Sequence, residues 1–142
     1  MTRARVLLAD DHKDMRELVV LLLNREFDII GTLQDGSGVV DATTRLKPDV
    51  CLLDISLPAL DGIEVARRIR QTGSPARVIF LTIHEDRDFL RAALDSGARG
   101  YVVKRCLASD LAPAIREVLA GRTFISASLS KQNGNSNDGR HQ

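Results

Sequence analysis

Val50-Cys51-Leu52-Leu53, closed at once by Asp54, is a run of four apolar residues ending in a carboxylate. A strand with one wet face alternates apolar and polar residues. A strand covered on both faces reads as a continuous apolar run, and such strands belong to parallel sheets sandwiched between helices. Working outward, runs of the same kind occupy Arg5 to Ala9, Phe27 to Thr32, Val78 to Leu81 and Gly100 to Val103. Between them the apolar residues recur at helical spacing. Met15, Leu18, Val19 and Leu22 form one stripe, and Leu111, Ile115, Val118 and Leu119 another. Ile63, Ala66 and Ile69 mark a helix stopped by Gly73, and Leu90, Ala93 and Leu94 one stopped by Gly97. Val39, Val40, Thr43 and Leu46 supply a weaker helix. Five strand-then-helix units without an internal repeat predict an α/β fold. Ser109 is the best N-cap for the last helix, which leaves Pro113 near the end of the first turn, where its missing donor costs least.

The 142 residues suit one domain and are too few for two ordinary ones. With 44% hydrophobic and 27% charged residues the composition is that of a soluble globular protein. The longest apolar runs, Leu18 to Leu23 and Val50 to Leu53, are too short to span a bilayer, so no membrane span is expected. The start, Met1 to Arg5, runs into the aspartates Asp10 and Asp11 and has the wrong flanks for a secretory signal, which makes a cytoplasmic location the default. Cys51 and Cys106 lack the spacing of a zinc or disulfide framework. A formal charge of +1 gives no broad basic footprint, so no nucleic-acid binding is expected of this chain alone. After Ile125 the composition turns to Ser, Asn, Gly, Lys and Gln. The folded domain is therefore expected over 1–125, and 126–142 as a polar, disordered tail or linker stub.

In an open α/β sheet, ligands bind beyond the carboxyl ends of the strands. The residues standing at those ends are Asp10 and Asp11 after the first strand, Asp54 after the third, Thr82 after the fourth and Lys104 after the fifth. Carboxylates held close repel one another unless a divalent cation and an amine offset their charge. Oxygen-only ligands from few side chains suit Mg2+ better than zinc. A carboxylate beside such a cation can act as a nucleophile and form an aspartyl phosphate. That reaction asks for positioning and charge neutralisation, which a cation, a Lys and a Thr hydroxyl supply.

These residues, with Asp54 in Leu53-Asp54-Ile55-Ser56-Leu57-Pro58 and with Asp61-Gly62, resemble the receiver domains of two-component response regulators. The resemblance runs from about Arg3 to Ile125. Leu81-Thr82-Ile83-His84-Glu85-Asp86 and Gly97-Ala98-Arg99-Gly100-Tyr101 are similar to the loops of the NarL/FixJ-like type. The resemblance implies a flavodoxin-like fold, with a five-stranded parallel sheet in the order 2-1-3-4-5 flanked by five helices. It further implies a phosphoryl group accepted on Asp54 from a sensor histidine kinase or phosphotransfer protein. Mg2+ would be held by Asp11, Asp54 and the backbone carbonyl of Ser56, with Asp10 acting largely through water. Lys104 would pair with phosphoryl oxygens, Thr82 would hydrogen-bond one of them, and Tyr101 would move inward on activation. An output partner or a second copy would dock on the face made by the fourth helix, fifth strand and fifth helix. Regulators of this type usually continue into a DNA-binding helix-turn-helix domain, so the chain reads either as a single-domain regulator or as part of a longer one.

Two positions depart from the family pattern. Arg105 follows Lys104 where many receivers have Pro, and the bulky Ile83 follows Thr82. Two rival functions fit the residues less well. A Mg2+-dependent aspartyl-phosphate phosphohydrolase of the haloacid-dehalogenase kind needs Asp-x-Asp after the first strand, which Asp10-Asp11-His12 does not provide. A pseudo-receiver that binds partners without phosphorylation is opposed by the complete acidic set. His12 and His84 read as solvated loop histidines without a metal partner at ligand spacing, and Tyr101 serves equally as a packing residue. Arg67, Arg68 and Arg70 read as a wet helix face. Gly36-Ser37-Gly38 follows the wrong strand for a dinucleotide fingerprint.

Overall fold

The computed structural model describes residues 2–129. Strand β1 (Arg5–Ala9) leads into helix α1 (Lys13–Leu23), and β2 (Asp28–Leu33) into α2 (Val39–Leu46). β3 (Val50–Asp54) precedes α3 (Gly62–Gln71), and β4 (Arg77–Thr82) precedes α4 (Arg87–Asp95). β5 (Gly100–Val103) passes through a single 3-10 turn, Lys104–Cys106, into α5 (Leu107–Leu119), and a two-residue strand β6 (Phe124–Ile125) follows. All strands pair parallel in the order β2-β1-β3-β4-β5-β6. The expected α/β fold and the 2-1-3-4-5 order hold, and the sheet gains a sixth strand at its β5 edge. That strand is too short to carry a periodic signal.

The central strand explains why the fold could be read at all. Every residue of β3 is buried, Asp54 included, because β1 and β4 flank it and helices cover both faces. On one face Leu7, Leu53, Phe80 and Tyr101 pack against Val39, Val65, Ile69 and Leu90 of α2, α3 and α4. On the other, Val6, Leu52, Ile79 and Val102 pack against Val19 and Leu23 of α1 and Leu111 and Ile115 of α5. β2 departs from expectation, starting one residue later and remaining partly exposed, because it pairs on one side only and forms the sheet's outer edge.

Helix stops stand where expected. Gly73 and Gly97 take φ of 79° and 103°, a left-handed conformation that ends α3 and α4. The start of α5 is a correction. Cys106, not Ser109, is its N-cap, and Ser109 lies inside the first turn with its hydroxyl donating to the Cys106 carbonyl at 3.1 Å. Pro113 therefore sits inside the helix, well past the position where its missing donor is harmless. The burial of Leu107, Leu111, Ala114, Ile115 and Val118 against the sheet outweighs that local cost.

Beyond the boundary expected at Ile125, Ser126 and Leu129 are both buried, and helical backbone begins at Ala127. The rest of the expected polar tail, 130–142, lies outside the described residues. Among the described residues no helix is long and apolar enough to cross a membrane.

The loop after β3 is held by close backbone packing. The Gly62 N–H donates to the Ile55 carbonyl at 2.8 Å, and a Cβ on Gly62 would lie 2.2 Å from the Asp54 carbonyl oxygen. We expect Gly62→Ala to destabilise the domain by about 2 kcal/mol, because backbone rather than a flexible side-chain tip must move. Urea unfolding followed by far-UV circular dichroism checks this, and an unchanged midpoint would show that the contact yields freely.

Candidate functional site

Four separate strand ends deliver the polar side chains to one edge of the sheet. Asp10 and Asp11 follow β1, Asp54 closes β3, Thr82 closes β4 and Lys104 follows β5. Parallel pairing puts these ends side by side, so residues distant in sequence meet. The Lys104 Nζ donates to Asp10 Oδ2 at 2.8 Å and to Asp54 Oδ2 at 3.0 Å. Asp10 is fully buried, Asp54 is 5% exposed, and Asp11 faces solvent.

The other oxygen of each buried carboxylate accepts from local backbone. Asp10 Oδ1 accepts from the His12 N–H at 2.9 Å and Asp54 Oδ1 from the Ser56 N–H at 3.0 Å, both two residues on. Such turns hold a carboxylate in one rotamer without a distant partner. Arg16 of α1 donates to the Asp10 carbonyl at 2.7 Å and ties the helix to the strand end. Asp61 caps α3 through the Glu64 N–H at 3.0 Å, so the Asp of Asp61-Gly62 has a structural task.

The Lys104 ammonium feels two opposed influences. Burial disfavours its charge, but the hydrogen bonds it donates to Asp10 and Asp54 and their Coulomb attraction prevail and hold its pKa above the ordinary lysine value. Tyr101 is completely buried, and its hydroxyl donates to the His84 carbonyl at 2.9 Å. Burial pushes its pKa up to about 12, with Asp86 and Glu85 adding to the rise and a hydrogen bond with Thr82 opposing it. The Thr82 hydroxyl also accepts from the His84 N–H at 3.0 Å. Thr82, His84 and Tyr101 thus form one local network at the ends of β4 and β5.

His12 is a correction. Its Nδ1 lies 3.0 Å from Asp11 Oδ1 and 3.4 Å from Asp10 Oδ1. One ligand atom from each of Asp10, Asp11, His12 and Asp54 falls within 4.8 Å of the others, a grouping able to hold a metal ion. The sequence offered no separated ligand spacing here. Only the N-cap conformation of His12 turns its ring back over its neighbours. His84 is not a free loop residue either, since Nε2 is 3.2 Å from the Ser56 hydroxyl and the ring stacks on Phe89 with centroids 3.9 Å apart. Ile83 is 72% exposed and leaves the interior to Thr82. Arg105 turns away from the acidic cluster and forms a bidentate pair with Glu85 at 2.8 and 2.6 Å. Arg67 and Arg68 pair with Glu64 on the surface of α3, as a wet face would.

The chain is similar to known proteins over most of its length. The family model for the response regulator receiver domain matches residues 6–116. The transcriptional regulatory protein DegU of Brevibacillus brevis is 32% identical over 125 residues, 87% of this chain and 53% of that protein. The transcription regulator BvgA of Bordetella pertussis is 36% identical over 129 residues, 89% of this chain and 62% of its own. Among solved structures, a two-component response regulator of the LuxR family from Aurantimonas sp. SI85-9A1 superposes with a TM-score of 0.90 at 31% identity, covering 96% of this chain and 99% of that one. The signal receiver domain of NarL from Mycobacterium tuberculosis superposes with a TM-score of 0.83 at 31% identity, covering 86% and 100%. The chain spans little more than half the length of the curated relatives it matches.

Proposed function

The chain belongs to the response regulator receiver domain family, and from that premise we propose that it is a phosphorylation switch whose acceptor is Asp54. The observation that carries this reading is the single ammonium of Lys104 bonded at once to buried Asp10 and Asp54. A buried amine between two carboxylates at the open end of a parallel sheet is poised to neutralise an incoming anion.

One carboxylate oxygen of Asp54 forms a bond to phosphorus while the bond from phosphorus to the donor, a phosphohistidine or a small acyl phosphate, breaks. Lys104 then follows the new negative charge, and the Thr82 hydroxyl turns from the His84 N–H toward a phosphoryl oxygen. The Ser56 N–H, already on Asp54 Oδ1, keeps the carboxylate plane fixed during the attack. The donor set fits a hard divalent cation, with three carboxylates grouped at the site. Asp11, Asp54 and the Ser56 carbonyl would hold Mg2+ directly and Asp10 through water. Bound there, the cation would offset charge on the transferring group. Asp54 is reactant and product together, so the domain assists its own phosphorylation and its slow loss rather than turning over a separate substrate.

The partners of this reading are a sensor histidine kinase or phosphotransfer protein on the donor side and, on the output side, a protein or second copy that docks on α4, β5 and α5. Tyr101 would report the change, since its hydroxyl already sits on the loop that Thr82 must pull. Relatives named as transcriptional regulators, and an RcsB structure described as a complex with DNA, suggest that a longer form would act on DNA.

Incubation with acetyl phosphate tests the proposal. The purified chain should gain one phosphoryl group with Mg2+ and essentially none in excess chelator. Asp11→Ala should raise the Mg2+ requirement at least tenfold by removing a direct ligand. Labelling that ignores both Mg2+ and Asp11 would overturn the metal-assisted reading.

A further inference from the structure

The segment after α5 returns along the outer edge of β5. Gly100 pairs with Phe124 and Tyr101 with Ile125, the Phe124 N–H donates to the Arg99 carbonyl at 3.0 Å, and the Ser126 N–H to the Tyr101 carbonyl at 2.9 Å. Phe124 leans on the α5 side of the sheet, whereas Ile125 and Leu129 pack on the α4 side in the cluster that contains Tyr101. Residues 124–129 therefore run between α4 and α5, over the face that the receiver reading assigns to output.

Two anchors hold this strap, and each begins beside a residue of the phosphoryl site. The first is Ser126, fully buried, whose hydroxyl accepts from the Val103 N–H at 2.9 Å and donates to Asp110 Oδ2 at 2.8 Å. Val103 immediately precedes Lys104. The second is Glu85, which takes the bidentate pair from Arg105 and a contact from the Ser128 hydroxyl at 3.5 Å. Arg105 immediately follows Lys104, and Glu85 sits on the loop held by the Thr82 hydroxyl through His84.

We propose that residues 124–129 are a displaceable strap occupying the docking face of β5, and that phosphorylation loosens it so that a partner can take its place. The inference rests on the phosphoacceptor reading above. When Thr82 gives up the His84 N–H for the phosphoryl group, the loop carrying Glu85 must move, and when Lys104 follows the new charge its neighbours Val103 and Arg105 move with it. Both anchors are disturbed at once. Withdrawal of the strap uncovers the backbone edge of β5 and the apolar seat of Leu129 beside Tyr101. An unpaired strand edge next to an apolar seat fits a partner that contributes an extended segment with an apolar side chain, by strand addition.

Hydrogen exchange on the full chain, loaded with beryllofluoride and Mg2+ or phosphorylated by acetyl phosphate, tests the strap directly. Amides of 124–129 and Val103 should exchange about tenfold faster in the loaded chain, while β1 and β3 stay protected. Leu129→Ala should speed exchange of the same amides without loading and, by linkage, bind beryllofluoride several-fold more tightly. Arg105→Gln, a surface change that leaves the core intact, should move both readouts in the same direction by less. If loading is evident but exchange of 124–129 is unchanged or slower, or if Leu129→Ala leaves beryllofluoride affinity unchanged, the strap is a fixed part of the sheet and the proposal is wrong. A chain that takes up no phosphoryl group or beryllofluoride at all overturns the phosphoacceptor reading and the coupling with it.

Discussion

Asp54→Asn should abolish phosphorylation by acetyl phosphate, at least a hundredfold below the parent rate, while the chain remains folded. An amide has nearly the shape of a carboxylate, and its oxygen can still accept from the Ser56 N–H or from Lys104. It loses the nucleophilic oxygen and one negative charge of the acidic group. The fold should tolerate the change because a like charge is removed beside Asp10 and Asp11. Intact-mass measurement after a timed incubation, with circular dichroism as the check on folding, gives the answer. An Asn variant that labels at the parent rate would move the acceptor elsewhere, and Asp11 would be the first residue to test.

Lys104→Met should carry the largest cost in stability. The Met stem keeps the packing of the aliphatic part, so the change isolates the ammonium. Its loss leaves Asp10 and Asp54 facing each other, buried and without a cation. Removing one partner of a buried ion pair costs roughly 3 kcal/mol, and the exposed side of Asp11 lets in enough water to hold the figure toward the low end. The discriminating readout is divalent cation. Mg2+ should restore more stability to Lys104→Met than it adds to the parent, because it replaces the missing charge and binds only the folded chain. Equal midpoints for parent and variant in chelator would show that Lys104 is dispensable to the apo fold.

How far the sequence could be read depended on what each signal required. The convergence of Asp10, Asp54, Thr82 and Lys104 at one sheet edge was legible because parallel strands align their carboxyl ends. β3 was legible for a related reason, since burial on both faces leaves an unbroken apolar run. β2 was displaced by one residue because an edge strand is only half covered and its run is weaker. Ser109 lost the N-cap to Cys106 because the 3-10 turn at Lys104 starts the helical path early, a decision made by the position of Lys104 over the acidic cluster and not by local propensity. His12 and Ser126 were missed for a shared reason. Each acquires its partners through a turn whose direction is set by tertiary packing, and a buried Ser beside a polar tail looks in sequence like part of the tail.

The charge balance of the site spans most of the chain, since Lys104 meets Asp10 across 94 positions and Asp54 across 50. During synthesis the acidic residues leave the ribosome first, and the ammonium that bridges them emerges after five of the strands. Until β5 is in place, Asp10 and Asp54 have no ammonium from Lys104 between them. Contacts of such separation are made late in folding. The charge balance of the acidic cluster is therefore completed only once β5 has brought Lys104 to the sheet edge.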